Sequence, residues 1–123
     1  MILMRILIYG AGVIGSLYAA LFAEAGYDTS IYARGKRLEA LRNNGLQYRK
    51  NQEVKKAEIR ILGELPNDDI YDFVLLIVRE NQLYEALIEL KNNKSNYEQA
   101  KVWMRKEHIE ILDIETAIRY CQI

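Results

Sequence analysis

Three glycines in residues 8–16, IYGAGVIGS, have the spacing G-x-G-x-x-G. Each can serve in holding a diphosphate. Gly10 lets the chain turn sharply out of a strand. Gly12 removes a side chain where a pyrophosphate would approach the backbone, and Gly15 lets the following helix pack close. Amides at the N-terminus of that helix, with the helix dipole, favour negative charge. The spacing alone is a weak signal. Its context strengthens it: an apolar run before, helical periodicity after, and a second β-prone run at the distance of a βαβ unit. The alternative is a tight turn in an α/β fold that binds nothing.

A dinucleotide site of this kind usually places Asp or Glu at the end of the second strand, bonded to the ribose hydroxyls. Here that position reads Ala33-Arg34-Gly35-Lys36-Arg37, with no carboxylate, and Asp28 lies before the strand. A guanidinium at Arg34 has the shape for bidentate contact with a 2′-phosphate and can stack on adenine. Lys36 and Arg37 add positive charge, or are a solvated basic turn opening a helix. The pattern favours NADP(H) over NAD(H). Other reactive side chains are poorly placed. His108, the sole histidine, sits between charges at Glu107 and Glu110 and reads as a surface residue. Ser16 follows the glycines with no base placed to activate it. Cys121 is the single cysteine, which excludes an internal disulfide and fits a reducing compartment. No cluster has metal-ligand spacing.

The elements that must position these residues are legible in the pattern. Residues 2–9 are apolar except for Arg5, as in a strand covered on both faces of a parallel sheet. Ile14, Leu17, Tyr18, Leu21 and Ala25 recur at helical spacing, and Gly26 stands where the helix would stop. Residues 29–33, TSIYA, predict a short strand, and residues 36–44 a second helix ended by Asn43-Asn44-Gly45. Residues 46–50 and 54–62 alternate at period two around KNQE, a hairpin turn. Residues 66–69, PNDD, predict a loop, and residues 73–78, FVLLIV, a further buried parallel strand. Leu83, Leu87 and Leu90 mark a helix, Lys91 to Ser95 a polar linker, and residues 101–104, KVWM, a short strand. Trp103 reads as core or interface. Residues 105–120 place Ile111, Ile114 and Ile118 on one stripe, opposite Glu107, Glu110, Asp113 and Glu115. This predicts an amphipathic helix whose isoleucines could pair with another chain, as in a homodimer. The expected fold class is α/β: a Rossmann-type, doubly wound, mostly parallel sheet with helices on both faces, binding its ligand at the carboxyl ends of the strands.

Composition narrows the partners. The chain has 123 residues, half of them apolar, and zero formal net charge. That is one domain with no electrostatic reason to bind nucleic acid or an anionic membrane. No apolar run approaches the roughly 20 residues of a membrane span, and the expected location is cytoplasmic.

Residues 4–47, MRILIYGAGVIGSLYAALFAEAGYDTSIYARGKRLEALRNNGLQ, and residues 71–87, YDFVLLIVRENQLYEAL, resemble the N-terminal domain of ketopantoate reductase (2-dehydropantoate 2-reductase). The resemblance implies NADPH-dependent reduction of ketopantoate to pantoate, on the route to pantothenate. It assigns Gly10, Ala11, Gly12, Val13, Ile14 and Gly15 to the pyrophosphate loop and Arg34 to the 2′-phosphate. It assigns Val78, Arg79 and Gln82 to a segment passing beside the cofactor. There the family usually carries lysine in a V-K-x-x-Q pattern; Arg79 keeps the charge but not the proton-transfer capacity. Arg79 is thus either a substrate or nicotinamide contact or a solvent-facing cation. Beyond Leu90 the family's next buried strand and its asparagine motif are not legible. The expected organisation is an NADP-binding Rossmann domain over residues 1–93, then a divergent tail over 94–123 within the same compact unit. The family's helical catalytic domain is expected to be missing, as in a truncated or frame-shifted chain. No catalytic residue is therefore assigned, and a small 2-oxo acid would be a substrate only if another domain or chain completes the site. Two further readings stay open: a stand-alone NADP-binding or sensing module, and a dimeric remnant.

Overall fold

The computed structural model describes residues 4–66, 69–93, 97 and 100–122. The elements run β1 (Arg5–Tyr9), α1 (Val13–Glu24), β2 (Asp28–Tyr32), α2 (Gly35–Asn44), β3 (Gln47–Lys50), β4 (Glu53–Lys56), β5 (Arg60–Leu62), β6 (Phe73–Leu76), a 3₁₀ turn (Glu80–Gln82), α3 (Leu83–Asn92), β7 (Lys101–Arg105), β8 (Ile109–Asp113) and α4 (Ile114–Cys121). Among the described residues one sheet has the order β5-β2-β1-β6-β7-β8, and β3 and β4 form a separate hairpin. Every pairing in the large sheet is parallel except β7 with β8.

The alternation of side chains along each strand divides the interior in two. On one face Leu7, Val74, Leu76, Val102 and Met104 pack with Leu83, Leu87 and Leu90 of α3 and with Ile114, Ala117 and Ile118 of α4. On the other, Ile6, Ile8, Ile31 and Leu75 pack with Ala19 and Ala20 of α1 and Leu41 of α2. Helices therefore cover both faces, as the nearly unbroken apolar runs of β1 and β6 require. The doubly wound α/β class expected from the sequence is the fold observed. No helix among the described residues is long and apolar enough to cross a membrane.

The helix stops fall where the glycines predicted them. Gly26, just past the α1 C-cap, has φ +93°, and Gly45 caps α2 at φ +72°. The KNQE turn closes the hairpin with Asn51 and Gln52 both in the left-handed region. The run 54–62 is not one strand: β4 ends at Lys56, and Arg60–Leu62 leaves the hairpin to pair with β2. Of the polar linker, Lys91 and Asn92 belong to α3 and Asn93 caps it, while 94 and 95 lie outside the described residues. So do residues 1–3 of the first strand run and residues 67 and 68 of the expected loop.

The last 20 residues require a larger correction. Residues 105–120 are not one helix. Ile109–Asp113 is a strand, and only Ile114–Cys121 is helical. The isoleucine stripe does not exist as a helix face. Ile111 is 57% exposed on the outer strand, whereas Ile114 and Ile118 are buried beneath α3. Glu110 and Asp113 belong to the strand, and Asp113 is the N-cap of α4, its carboxylate accepting the Thr116 N–H at 2.7 Å. The reason is tertiary. β7 offers β8 a free edge, with Trp103 opposite Ile111 and Arg105 opposite Ile109. Ladder hydrogen bonds then outweigh a local pattern that suits helix and strand alike. The short strand expected at residues 101–104 is β7, lying parallel to β6 with Val102 and Met104 fully buried.

Candidate functional site

A cleft of about 920 Å³ opens at the carboxyl ends of β1, β2 and β6, where the chain winds away from β1 in both directions and open α/β sheets bind their ligands. Its floor is the glycine loop, with Gly10, Ala11, Gly12 and Val13 all at the surface of the cleft. The shape of this loop is imposed from below. Gly10 has φ +115°, and a Cβ there would lie 2.2 Å from the Ile77 carbonyl oxygen. A Cβ on Gly15 would lie 1.9 Å from the Gly10 carbonyl oxygen. These two glycines let strand, turn and helix close on one another. Gly12 differs: nothing lies within 4 Å of where its Cβ would be. No side chain caps α1 and no acid stands in its first turn, so the unpaired amides of that turn are available to an anion.

One wall carries two guanidiniums. Arg34, directly after β2, donates from Nε to the Tyr32 hydroxyl and from Nη2 to the Tyr9 hydroxyl, each at 3.0 Å. It also ion-pairs with Glu89 of α3 across the cleft. Its side chain is 63% exposed and lies over the Tyr32 ring. Tyr9 and Tyr32 meet edge to face at 4.9 Å. The Tyr9 hydroxyl donates in turn to Glu89 Oε2 at 3.1 Å. Burial and the adjacent Glu89 carboxylate push the Tyr9 phenol upward, so it remains a proton donor. Burial opposes charge on Arg34, but the hydrogen bond to Tyr32 and the nearby Tyr9 and Glu89 outweigh it, raising the guanidinium further. Arg37 holds the loop itself. Its Nε donates to the Ala11 carbonyl and its Nη2 to Ser16 Oγ, both at 2.8 Å.

Val78 and Gln82 of the β6–α3 connection, Glu85 and Glu89 of α3, and Gln47 and Tyr48 of β3 complete the lining. Gln82 has a structural duty: its Oε1 accepts the Arg79 N–H at 3.3 Å, and its own N–H donates to the Arg79 carbonyl at 2.8 Å. Of the residues singled out from sequence, Gly10, Ala11, Gly12, Val13, Arg34, Val78 and Gln82 line the cleft, whereas Ile14, Gly15, Lys36 and Arg79 do not. Lys36 and Arg79 are exposed, and Gly15 acts from beneath the loop. Tyr9 and Tyr32 were missed, although each ends a strand, where a ligand of this fold sits. Glu89 had no sequence signal, being 55 residues from Arg34. His108 is exposed, and Trp103 packs on Tyr18 at 5.9 Å. Among the described residues no cluster of His, Cys, Asp and Glu could hold a metal ion.

Residues 6–98 match the family model described as ketopantoate reductase PanE/ApbA. The chain belongs to that family. A 2-dehydropantoate 2-reductase of Mesorhizobium japonicum is 39% identical over 88 residues, covering 71% of this chain and 27% of that protein. One from Pyrococcus horikoshii is 34% identical over 92 residues, covering 72% of this chain and 29% of that protein. The chain thus spans less than a third of the length of these curated relatives. The solved PanE/ApbA family ketopantoate reductase from Ralstonia eutropha superposes with a TM-score of 0.69 at 24% identity, over 80% of this chain and 33% of that one, and shows the same fold. A ketopantoate reductase family chain that presents a bare, uncapped helix start with two arginines beside it fits a dinucleotide phosphate, and the residues present supply donors for it.

Proposed function

We propose that this chain is the NADP(H)-holding part of a 2-oxo-acid reductase of the ketopantoate type. The observation that carries the reading is the open space over Gly12, at an uncapped helix start beside Arg34 and Arg37. The first-turn amides of α1 would take the pyrophosphate. Arg34, at the tip of β2, would take the 2′-phosphate and lie against the adenine. Arg37 keeps the Ala11 carbonyl turned aside and so holds the loop ready. The bound coenzyme would supply hydride to the carbonyl of a small 2-oxo acid.

Protonation of the product is a separate requirement. Among the described residues no lysine or histidine lines the cleft. This favours a chain that binds the coenzyme but relies on another domain or protein to complete reduction. It also keeps a second reading in play, a stand-alone NADP-binding or sensing module. Titration of the purified 123-residue chain with NADPH and with NADH, followed by nicotinamide fluorescence, tests the assignment. We expect saturable uptake with NADPH held more tightly. Addition of ketopantoate should then give little or no loss of nicotinamide absorbance. Absence of uptake of either dinucleotide would sink the reading, and tighter binding of NADH would overturn the coenzyme choice.

A further inference from the structure

We propose that Glu89, reaching across the cleft from α3 to Arg34, limits how strongly this site prefers a 2′-phosphorylated dinucleotide. This rests on the dinucleotide reading above and names what sets its specificity. The end of β2 lacks the carboxylate that usually accepts ribose hydroxyls, and sequence alone therefore points to a phosphate site. The fold returns a carboxylate to that place from a different element. Glu89 ion-pairs with the same guanidinium that would hold a 2′-phosphate. It is also anchored by the Tyr9 hydroxyl, 3.1 Å from Oε2. Its side chain is 32% exposed and lines the cleft.

Two consequences follow from charge. A 2′-phosphate must displace Glu89 from Arg34 or share the guanidinium with it, and the two anions then repel at close range. An unphosphorylated ribose instead offers hydroxyl donors, for which a carboxylate is the better acceptor. Glu89 thus opposes one coenzyme and suits the other, while Arg34 does the reverse. The Tyr9 and Tyr32 hydroxyls fix where the two charges meet, so neither can avoid the other by swinging into solvent without losing a hydrogen bond.

The test is a binding cycle on the full chain, with NADPH and NADH as probes, using Glu89→Gln, Arg34→Gln and the double variant. Circular dichroism melts confirm folding, and Glu89→Ala is the reserve should the glutamine variant fail to fold. Glu89→Gln should raise the NADPH-to-NADH affinity ratio about tenfold, a size typical of coupled charges at a partly exposed site. In the Arg34→Gln background the same change should move the ratio clearly less, because the contest for the guanidinium is gone and only Glu89's direct action on the ribose substituent remains. An unchanged or lowered ratio in folded Glu89→Gln overturns the proposal, as does an equal shift in the Arg34→Gln background. If the wild-type chain binds neither dinucleotide, the dinucleotide reading itself fails and this inference fails with it.

Discussion

Gly12 and Gly15 are three residues apart and serve different ends, which makes their substitution informative. Alanine at Gly15 meets the backbone carbonyl of Gly10 at 1.9 Å, where no flexible side chain can give way. We expect Gly15→Ala to cost about 2–3 kcal/mol of stability by forcing the loop off the helix. Alanine at Gly12 points into open space. It should cost only about 0.5–1 kcal/mol, as a poorer N-cap than glycine. Yet it should weaken NADPH binding at least about tenfold, or 1.4 kcal/mol, by standing where the phosphate must approach. Urea denaturation with NADPH titration of both variants checks this pair. A Gly12→Ala protein that binds NADPH normally would show that the phosphate does not approach over Gly12. Both glycines were readable from their spacing, Gly15 because the helix must pass the Gly10 carbonyl, and Gly12 because the motif leaves that position open to a phosphate. The distant partners of Arg34 were not, since Tyr9 and Glu89 meet it only once β1, β2 and α3 have come together.

At the scale of elements, α4 shows how a short helix is held. It has eight residues, too few to persist in isolation. Its start is fixed by the Asp113 side chain, which accepts the Thr116 N–H. Its Ile114, Ala117 and Ile118 are buried on the α3 side. The Thr116 amide, and then its hydroxyl, hold the Asp113 carboxyl below the usual carboxylate value. A lowered folded-state value means the cap's contribution is complete above the unfolded carboxylate range. It is lost as pH falls through the folded value. Asp113→Ala should therefore cost about 1 kcal/mol near neutrality. The difference between wild type and variant should shrink in acid, as measured by thermal melts across pH. A pH-independent difference would mean the cap charge is idle. The sequence held only slight signs of this arrangement, an apolar–polar–apolar start at residues 109–111 and an Asp three residues before a Thr. A longer helical stripe masked them, because Ile111, Ile114 and Ile118 satisfy the helical period by coincidence of a strand running straight into a helix.

At the scale of the whole molecule, the C-terminal residues share the core of the N-terminal α/β part. Val102 and Met104 are fully buried in the same cluster as Leu7, Val74 and Leu87. We therefore expect one unfolding transition. Trp103, the single tryptophan, should report from β7 the same midpoint that far-UV ellipticity reports from the helices. Met104→Ala should lower both together, by about 2–4 kcal/mol. Two midpoints in the wild-type chain would separate the C-terminal strands from the rest. By itself the sequence determined the opening βαβ unit, the glycine turn, the basic tip of β2 and the parallel, two-faced character of the sheet. Each of these is written in neighbouring residues, through periodicity, backbone freedom or the lack of a carboxylate. Tertiary structure alone decided that residues 109–113 extend the sheet, that β5 leaves its hairpin for β2, and that an acid from α3 faces Arg34. Those outcomes depend on edges and side chains that meet only once the chain has folded, and no local pattern encodes a contact across 55 residues.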